Sequence, residues 1–289
     1  MGEKVQRSAL HSDAGLHIPV HQFALARIHP DGCGQPPGRV ETHLSEPERR
    51  EKMNWGVVGH GHLGSALAAR FVRQNIAFQH LSAQLWDQGK NLPQPEDALL
   101  LAIPDGFIEA AAHQLQQRGH VGPVFHCSGA TPLSALEPLP QAGVWYPMQS
   151  FRDVEVPWGT FPVYWENALL EPILQDLHEK LGIPPGQWMT SERRATHHLS
   201  AVWANNFPTH LVALYQDFCR QKGVEPMTTM FLDSVSQALQ EDARALQTGP
   251  ARRRDLATLA RHLEALPPEL RSIYQALSDS IARLDSSNS

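Results

Sequence analysis

The stretch Trp55-Gly56-Val57-Val58-Gly59-His60-Gly61-His62-Leu63-Gly64 decides the fold of this chain. Its first four residues form an apolar run that predicts a buried strand, and the spacing of apolar residues from 65 to 74 predicts a helix. The turn between them has the pattern Gly-x-Gly-x-x-Gly. In dinucleotide-binding proteins the first glycine permits the bend, the second lets the backbone approach the pyrophosphate, and the third lets helix and strand pack closely. The strand before the turn and the helix after it favour a dinucleotide cradle over a glycine turn that only packs.

Beyond this turn the chain divides into a half with strands and a half with helices alone. Further apolar runs, alternating with helical spacing, predict strands at 78–81, 98–103, 123–127, 144–146 and 161–165. After about Glu192 the strand patterns stop, and helices are predicted at 193–222, 226–246, 253–266 and 268–284. The predicted fold is therefore α/β, a Rossmann-type mostly parallel sheet followed by an all-helical C-terminal domain.

The domain organisation follows from this division. Residues 1–52 mix histidine, proline, glycine and charge, and we expect them to be a mostly disordered extension. Met53 immediately precedes the first strand, so we expect the natural protein to start there. Residues 53–191 are predicted to form the dinucleotide-binding domain, and residues 192–289 a helical domain for dimerisation and substrate binding.

The composition excludes several classes of protein. The formal net charge is −6, with 24 Lys+Arg against 30 Asp+Glu, which gives no electrostatic reason to expect nucleic acid or a membrane surface as a partner. No run approaches 18 consecutive apolar residues, and the N-terminus has no secretory signal pattern. Three widely spaced cysteines, Cys33, Cys127 and Cys219, suggest no disulfide framework. We therefore expect a cytoplasmic protein.

The cofactor-binding residues are predicted from the turn and from two strand ends, because ligands of open α/β sheets bind outside the carboxyl ends of the strands. The predicted set is Gly59, His60, Gly61, His62, Leu63, Gly64, Ile103, Pro104, Ser128 and Gly129. Asp105 follows the same strand end, and capping of the helix near Phe107 is an equally good interpretation of it. His60 and His62 have no obvious third ligand, so no metal site is predicted.

The choice between NADP and NAD depends on the residues after the second strand. NAD sites usually carry an acid about 20 residues beyond the glycine turn, where it binds the ribose hydroxyls. In this chain that zone is His80-Leu81-Ser82-Ala83-Gln84, and Asp87 comes slightly too late. The missing acid favours NADP, although no arginine stands there to hold a 2′-phosphate. NADP is therefore the predicted cofactor, and NAD stays open.

The catalytic candidates are His198, Asn206 and Ser128. The first two lie on the predicted helix that opens the second half, where His198 and Asn205, seven residues apart, would share one face. Reduction of a C=O or C=N bond by hydride requires a group that protonates the other atom, and histidine suits this role. The alternative is that these polar residues hydrogen-bond across a helix interface.

Several strings together resemble a known family: residues 59–64, 126–130, 146–151, 197–198 with 204–207, and 248–253 with Asp255 and 261–263. The resemblance is to a bacterial family that joins a Rossmann-like domain to a C-terminal helical domain of unknown function. It is similar in layout to pyrroline-5-carboxylate reductases, ketopantoate reductases and deazaflavin-linked NADP reductases. The resemblance covers residues 53 to about 285. It implies NADP binding, a helical domain that dimerises, and a site in the cleft between the domains.

Three positions depart from the pattern of that family. Tyr146 stands where the family usually has histidine, Arg254 where it usually has glycine, and Ser82-Ala83 where many members have Ser-Arg. The first departure excludes a catalytic histidine at position 146, and the last weakens the link to NADP. Carried onto matching positions, the resemblance points to Ser128, Gln149, His198, Asn206, Thr248 and Arg253.

The sequence thus predicts an NAD(P)-dependent oxidoreductase, a homodimer, that transfers a hydride between nicotinamide and a small polar carbonyl or imine. His198 is the favoured proton donor. One alternative is a dinucleotide-binding sensor or regulatory protein without chemistry, which Tyr146 slightly favours. A second is a hydrolase using Cys127 or Ser128, although neither has a base at a recognisable spacing.

Overall fold

The computed structural model describes residues 54–286, and its main feature is one seven-stranded sheet in the order β2-β1-β3-β4-β5-β6-β7. Neighbouring strands are parallel except β5 and β6, which are antiparallel. The strands are β1 (Trp55–Val58), β2 (Phe78–Leu81), β3 (Ala98–Leu101), β4 (Val124–His126), β5 (Ala142–Pro147), β6 (Val163–Glu166) and β7 (Gln187–Trp188). The predicted Rossmann-type, mostly parallel sheet is confirmed.

Helices cover both faces of this sheet. The helices α1 (His62–Arg73) and α3 (Glu171–Leu181) pack on one face, where Phe71 and Leu177 join Trp55 of β1 in one core cluster. The helix α2 (Ile108–Gln117) packs on the other face. Strands β1 and β3 are buried throughout, as expected for parallel strands between two helical layers.

Beyond β7, the described residues form helices and the turns between them. These helices are α4 (Ser191–Ala201), α5 (Phe207–Lys222), α6 (Thr228–Gln240), α7 (Ala243–Leu246), α8 (Leu256–Ala265) and α9 (Pro268–Ser286). None of the helices within residues 54–286 combines the length and apolar character needed to cross a bilayer. The expected disorder of residues 1–52, the start at Met53 and Cys33 fall outside the described residues, and the domain boundaries stay predictions.

One predicted helix, 193–222, is interrupted by a π-helical turn at Val202–Asn206. Pro208 explains the interruption, because proline has no N–H to donate to the carbonyl of Ala204 and its ring collides with the preceding turn. The wider turn inserts one residue and rotates every later position by about 100°. Asn205 lies inside this turn, so the regular α-helical spacing assumed between His198 and Asn205 does not hold throughout the segment.

A buried ion pair fixes α4 against the sheet. The Arg194 side chain is fully buried, and its Nη1 donates to Glu166 Oε2 at the end of β6 over 2.6 Å. Its Nη2 donates to the carbonyl of Thr131 over 2.5 Å, in the loop after β4. The Glu166 carboxylate also accepts hydrogen bonds from the backbone N–H and the hydroxyl of Ser191, at 3.0 and 2.6 Å. One guanidinium thus joins α4, β6 and the β4 loop.

We expect Glu166→Gln to lower the free energy of unfolding by about 3–5 kcal/mol, because it leaves the Arg194 charge buried without its counter-charge. Glu155→Gln is the matched control, since Glu155 pairs with Arg73 at 2.6 Å but both side chains are exposed. That exposed pair should contribute at most about 1 kcal/mol. Urea unfolding followed by circular dichroism measures both variants, and equal losses in the two would contradict the anchoring role of Arg194.

We also expect stability to fall as the pH drops below about 6.5, in part because of His178. Burial lowers the pKa of His178 to about 4, whereas the unfolded chain has the ordinary histidine value of 6.5. Above pH 6.5 the residue is neutral in both states and contributes nothing to the pH dependence. Between these two values only the unfolded chain binds the proton, so the free energy of unfolding falls by about 1.4 kcal/mol per pH unit.

His178→Gln tests this assignment, since glutamine offers polar atoms but does not titrate in this range. Urea midpoints measured from pH 7 to pH 5 should show a shallower slope for the variant than for the native chain. His126 and His120, whose pKa values burial also lowers, account for slope that remains. An identical slope in both proteins would rule out His178 as a contributor.

Candidate functional site

The first and third glycines of the turn are required by the protein's own packing. Gly59 has a φ of +117°, a conformation that L side chains rarely adopt. A Cβ at Gly59 would lie 2.2 Å from the carbonyl oxygen of Ala102. A Cβ at Gly64 would lie 2.0 Å from the carbonyl oxygen of Gly59. Any larger residue at either position would collide with backbone.

Gly61 is different, because the space around it is open. A Cβ built there would meet no atom within 4 Å, and its φ of −72° suits any L residue. Gly61 is also the N-cap of α1, whose first turn in the described structure has no acidic residue and no capping side-chain hydrogen bond. The backbone N–H groups of the first helical turn have no intrahelical acceptor. A helix end of this kind binds anions such as phosphate.

A cavity of about 230 Å³ opens beside Gly61 at the carboxyl ends of β1, β3 and β4. It brings together these residues of the predicted cofactor set: Gly61, His62, Leu63, Ile103, Pro104 and Ser128. Ala102, Asp105 and Cys127 also line it, although the prediction did not include them. Their signal in the sequence was their position directly after two buried strands. The cavity lies where the strand order reverses between β1 and β3, the usual place for ligands in open α/β sheets.

Tyr146 and His198 form a pair next to this cavity. The Tyr146 hydroxyl lies 3.1 Å from His198 Nδ1, and the two rings meet edge to face. A Cβ at Gly129 would lie 2.6 Å from His198 Nδ1 and 2.7 Å from Tyr146 Cζ, so both rings pack directly on the Gly129 backbone. Burial, above all, raises the pKa of Tyr146 to about 12, so its hydroxyl stays protonated. The structure thus brings His198 and Tyr146 together on the backbone of Gly129, the residue after Ser128.

The Ser128 side chain stabilises a turn of the backbone. Its Oγ accepts hydrogen bonds from the N–H groups of Ala130 and Thr131, at 3.1 and 2.9 Å. Because Thr131 also binds Arg194 through its carbonyl, Ser128 and Arg194 order the same loop. The neighbouring Cys127 is buried, and burial raises the pKa of its thiol. The thiol therefore stays protonated, which argues against a nucleophilic cysteine.

The remaining candidates lie elsewhere. Asn206 ends the π-helical turn, is exposed, and accepts a hydrogen bond from Asn205 Nδ2 at 3.3 Å. Gln149 is exposed and accepts from the N–H of Ser150. Thr248 and Arg253 are exposed in the loop before α8. Within the described part of the chain, the structure reports no contact between these four side chains and His198.

The turn histidines do not converge on a common point. His60 stacks on His80 of β2, with ring centroids 4.0 Å apart, while His62 lines the cavity. Among residues 54–286 no group of three or more His, Cys, Asp and Glu side chains is placed to hold a metal ion. In the sequence, His80 stands out only as part of the zone after the turn. Its partnership with His60 has no local signal, because the two residues are joined through the pairing of β1 with β2.

Comparison with known proteins agrees with this architecture. Residues 166–281 match the family described as "Domain of unknown function (DUF2520)". No protein with a curated description matches the sequence.

Three solved structures share the fold at low sequence identity. A candidate NADP oxidoreductase from Bacteroides fragilis is 22% identical, with a TM-score of 0.65, over 81% of this chain and 99% of that one. A protein of Thermotoga maritima is 18% identical, with a TM-score of 0.54, over 81% and 99%. The Streptomyces aurantiacus imine reductase is 13% identical, with a TM-score of 0.51, over 80% and 94%. The resemblance inferred from the sequence is confirmed at this level: a Rossmann-like sheet precedes a helical region, and residues 166–281 match the DUF2520 model.

Proposed function

We propose that the protein is an NAD(P)-dependent oxidoreductase that transfers a hydride between nicotinamide and a small polar carbonyl or imine, with NADP as the preferred cofactor. The contrast between the three glycines carries this proposal. The fold itself requires Gly59 and Gly64 to lack a side chain, whereas open space surrounds Gly61. Close approach of a ligand to the backbone would explain why position 61 is a glycine. A pyrophosphate on the N-terminus of α1 fits that space.

The residues around the cavity fit the rest of such a cofactor. The first turn of α1 would hold the pyrophosphate, and Ile103, Pro104 and Ser128 would border the nicotinamide end. When bound, the nicotinamide would supply or accept the hydride. The strand order reverses at this point, so the cavity has the placement of a nucleotide site in an open α/β sheet.

His198 is our proposed proton donor, and Tyr146 is its positioning residue. A reduced carbonyl or imine needs a proton at oxygen or nitrogen when carbon receives the hydride. The protonated Tyr146 hydroxyl would hold the His198 ring through Nδ1 and leave Nε2 to exchange the proton with the substrate. Ser128 keeps the loop of Gly129 in the conformation on which both rings pack. The exposed Asn206 would anchor the substrate.

The names of two structural relatives agree with a reductase. The Bacteroides fragilis and Streptomyces aurantiacus proteins are described as an NADP oxidoreductase candidate and an imine reductase. Their identity to this chain is low, so they support the reaction class by analogy of fold. The substrate assignment rests on the chemistry of the His198 pair, not on these names.

We propose a cytoplasmic homodimer that binds a small-molecule substrate and neither nucleic acid nor membrane. Large apolar side chains are exposed on the helices after α4, among them Trp203, Met230 and Leu239, which are 67%, 62% and 74% exposed. Exposed apolar patches of this kind mark association surfaces. The unpaired cysteines among the described residues, Cys127 and Cys219, fit a reducing compartment.

The main alternative is a dinucleotide-binding sensor without chemistry. Tyr146 favours it, because the phenol that replaces the family's histidine is a weak acid with a pKa of about 12. Tight NADPH binding with no turnover of any carbonyl or imine in a broad panel would support the sensor. Oxidation of NADPH dependent on one member of that panel would support the enzyme.

We expect Gly61→Ala to fold with nearly native stability and to bind NADPH at least about tenfold more weakly. The new methyl group meets no protein atom but occupies the space assigned to the pyrophosphate. Isothermal titration calorimetry gives the affinity and thermal unfolding gives the stability. Gly64→Ala is the contrasting variant and should lose stability, because its methyl group would overlap the Gly59 carbonyl. Native NADPH affinity in Gly61→Ala would exclude the proposed cradle.

We expect His198→Ala to lower kcat by about 10²–10⁴ with a substrate found in the panel, as loss of a general acid does. The KM for NADPH should stay near its native value. Tyr146→Phe keeps the ring but removes the hydroxyl, so it should lower kcat less and shift the pH profile of kcat. His197→Ala is the matched control, because His197 lies on the same helix as His198 but its ring packs against Tyr164 of β6. Unchanged turnover in His198→Ala would rule out His198 as the proton donor.

A further inference from the structure

His60 and His80 form a stacked pair that the proposed chemistry does not use. Their ring centroids are 4.0 Å apart and their planes are inclined by only 19°. His60 follows the first glycine of the turn and is exposed, and His80 lies half-buried on β2. Strand β2 pairs with β1 in parallel, with His80 opposite Val57, so the pair sits where the turn leaves the sheet.

A hydrogen bond defines which ring nitrogen of His80 carries the hydrogen. Its Nε2 lies 2.8 Å from the carbonyl oxygen of Gly59. A carbonyl oxygen can only accept, so Nε2 carries the hydrogen and donates it. The neutral ring then has its lone pair on Nδ1, and any further proton must enter there. The bond also holds the ring of His80 in place beside the turn, with His60 stacked on it.

The position of the pair corresponds to the adenosine ribose. In Rossmann sheets the end of the second strand faces the ribose, where a carboxylate selects NAD and an arginine selects NADP. Residues 78–84 of this chain, Phe-Gln-His-Leu-Ser-Ala-Gln, contain neither an acid nor an arginine. The two imidazoles are the ionisable groups at this edge that could meet the 2′ substituent.

We propose that His60 and His80 form the subsite that recognises the 2′-phosphate of the adenosine ribose and set a preference for NADP over NAD that strengthens as the pH falls. This inference rests on the proposed function, since it names the part of the site that distinguishes the two cofactors. Protonated imidazoles donate charge-assisted hydrogen bonds to phosphate, which are stronger than neutral ones. A 2′-hydroxyl gains no comparable interaction.

Proton linkage gives this subsite a measurable signature. Partial desolvation and then the neighbouring His80 ring lower the pKa of His60, so the free protein disfavours a charge on it. A phosphate dianion beside the ring has the opposite effect, because an opposite charge favours the imidazolium. Binding of the 2′-phosphate therefore takes up protons. Affinity rises as the pH falls, until the phosphate itself protonates near pH 6.

The charged groups around His60 and His80 leave this pair free to bind a phosphate. His62 follows in the same turn and lines the cavity. On α1, the Arg70 side chain donates to the carbonyl of Leu181, and Arg73 pairs with Glu155. The segment after β2 adds only Asp87 as a titratable residue before Gly89. Of these neighbours, His80 is the one whose charge acts on His60.

The experiment compares 2′,5′-ADP with 5′-AMP, which carry only the adenosine end, and NADPH with NADH. Calorimetric titrations of the full chain at pH 6.5 and 8.5, in buffers of different ionisation enthalpy, give affinities and proton uptake. The native protein should bind 2′,5′-ADP more tightly than 5′-AMP, by a ratio that grows about tenfold from pH 8.5 to 6.5. Proton uptake should accompany 2′,5′-ADP and NADPH alone.

Two variants assign the effect to the pair. His80→Gln retains an N–H donor for the Gly59 carbonyl but does not titrate, and His60→Asn removes the stacked imidazole. Each should reduce the 2′,5′-ADP to 5′-AMP ratio at pH 6.5 about tenfold, and the pH dependence that remains is that of the phosphate. His113→Gln is the control, because His113 is an exposed histidine of α2 outside the cavity, and it should leave the ratio at its native value. Circular dichroism checks that each variant is folded.

The outcomes separate this inference from the proposed function. Tight binding of NADH and NADPH with one ratio at both pH values would overturn the histidine subsite and leave the oxidoreductase standing. Native ratios in both variants would overturn it as well. Binding of neither dinucleotide would remove the proposed function and the subsite together. Because the pH series on the native chain needs no variant, the inference stays testable even if a substitution prevents folding.

Discussion

The buried Arg194–Glu166 pair is the interaction on which the arrangement of the site depends. The sheet and the helices after it come from distant parts of the chain, and the guanidinium of Arg194 joins α4, β6 and the β4 loop at one point. Each partner lowers the desolvation penalty of the other, and Ser191 supplies two further hydrogen bonds to the carboxylate. His198 lies one helical turn beyond Arg194, so the anchor also sets where its ring meets Gly129.

The loop after β4 is packed so tightly that it has no room for a larger residue at position 129. The Ser128 hydroxyl closes the turn, Arg194 holds its far end, and the Gly129 backbone forms the surface on which His198 and Tyr146 pack. A side chain at position 129 would overlap both rings. The Tyr146 hydroxyl lies 3.1 Å from His198 Nδ1, so a side chain of β5 contacts a histidine of α4 across this loop.

The sequence predicted the parts of this molecule that local patterns encode. The strand, turn and helix of residues 55–74 follow from neighbouring residues, and so do the apolar runs that became β3 and β4. Strand β7 was missed because it has two residues, too few for a periodic pattern. The π-helical turn was missed because the pattern of apolar residues does not reveal one inserted position. The pairs Tyr146–His198 and His60–His80 depend on tertiary contacts between residues far apart in sequence, which no spacing rule contains.

The three glycines of the turn, Gly59, Gly61 and Gly64, are subject to different constraints on their replacement. A side chain at Gly59 or Gly64 would collide with backbone, so their replacement should destabilise the fold in any descendant, whatever its function. Gly61 has room for a side chain and a backbone conformation that accepts one, so only a ligand would oppose its replacement. A lineage that abandoned its nucleotide would keep the outer two glycines and let the middle one drift. If the proposed cradle is right, the residue at this single position would indicate whether a relative still binds a cofactor.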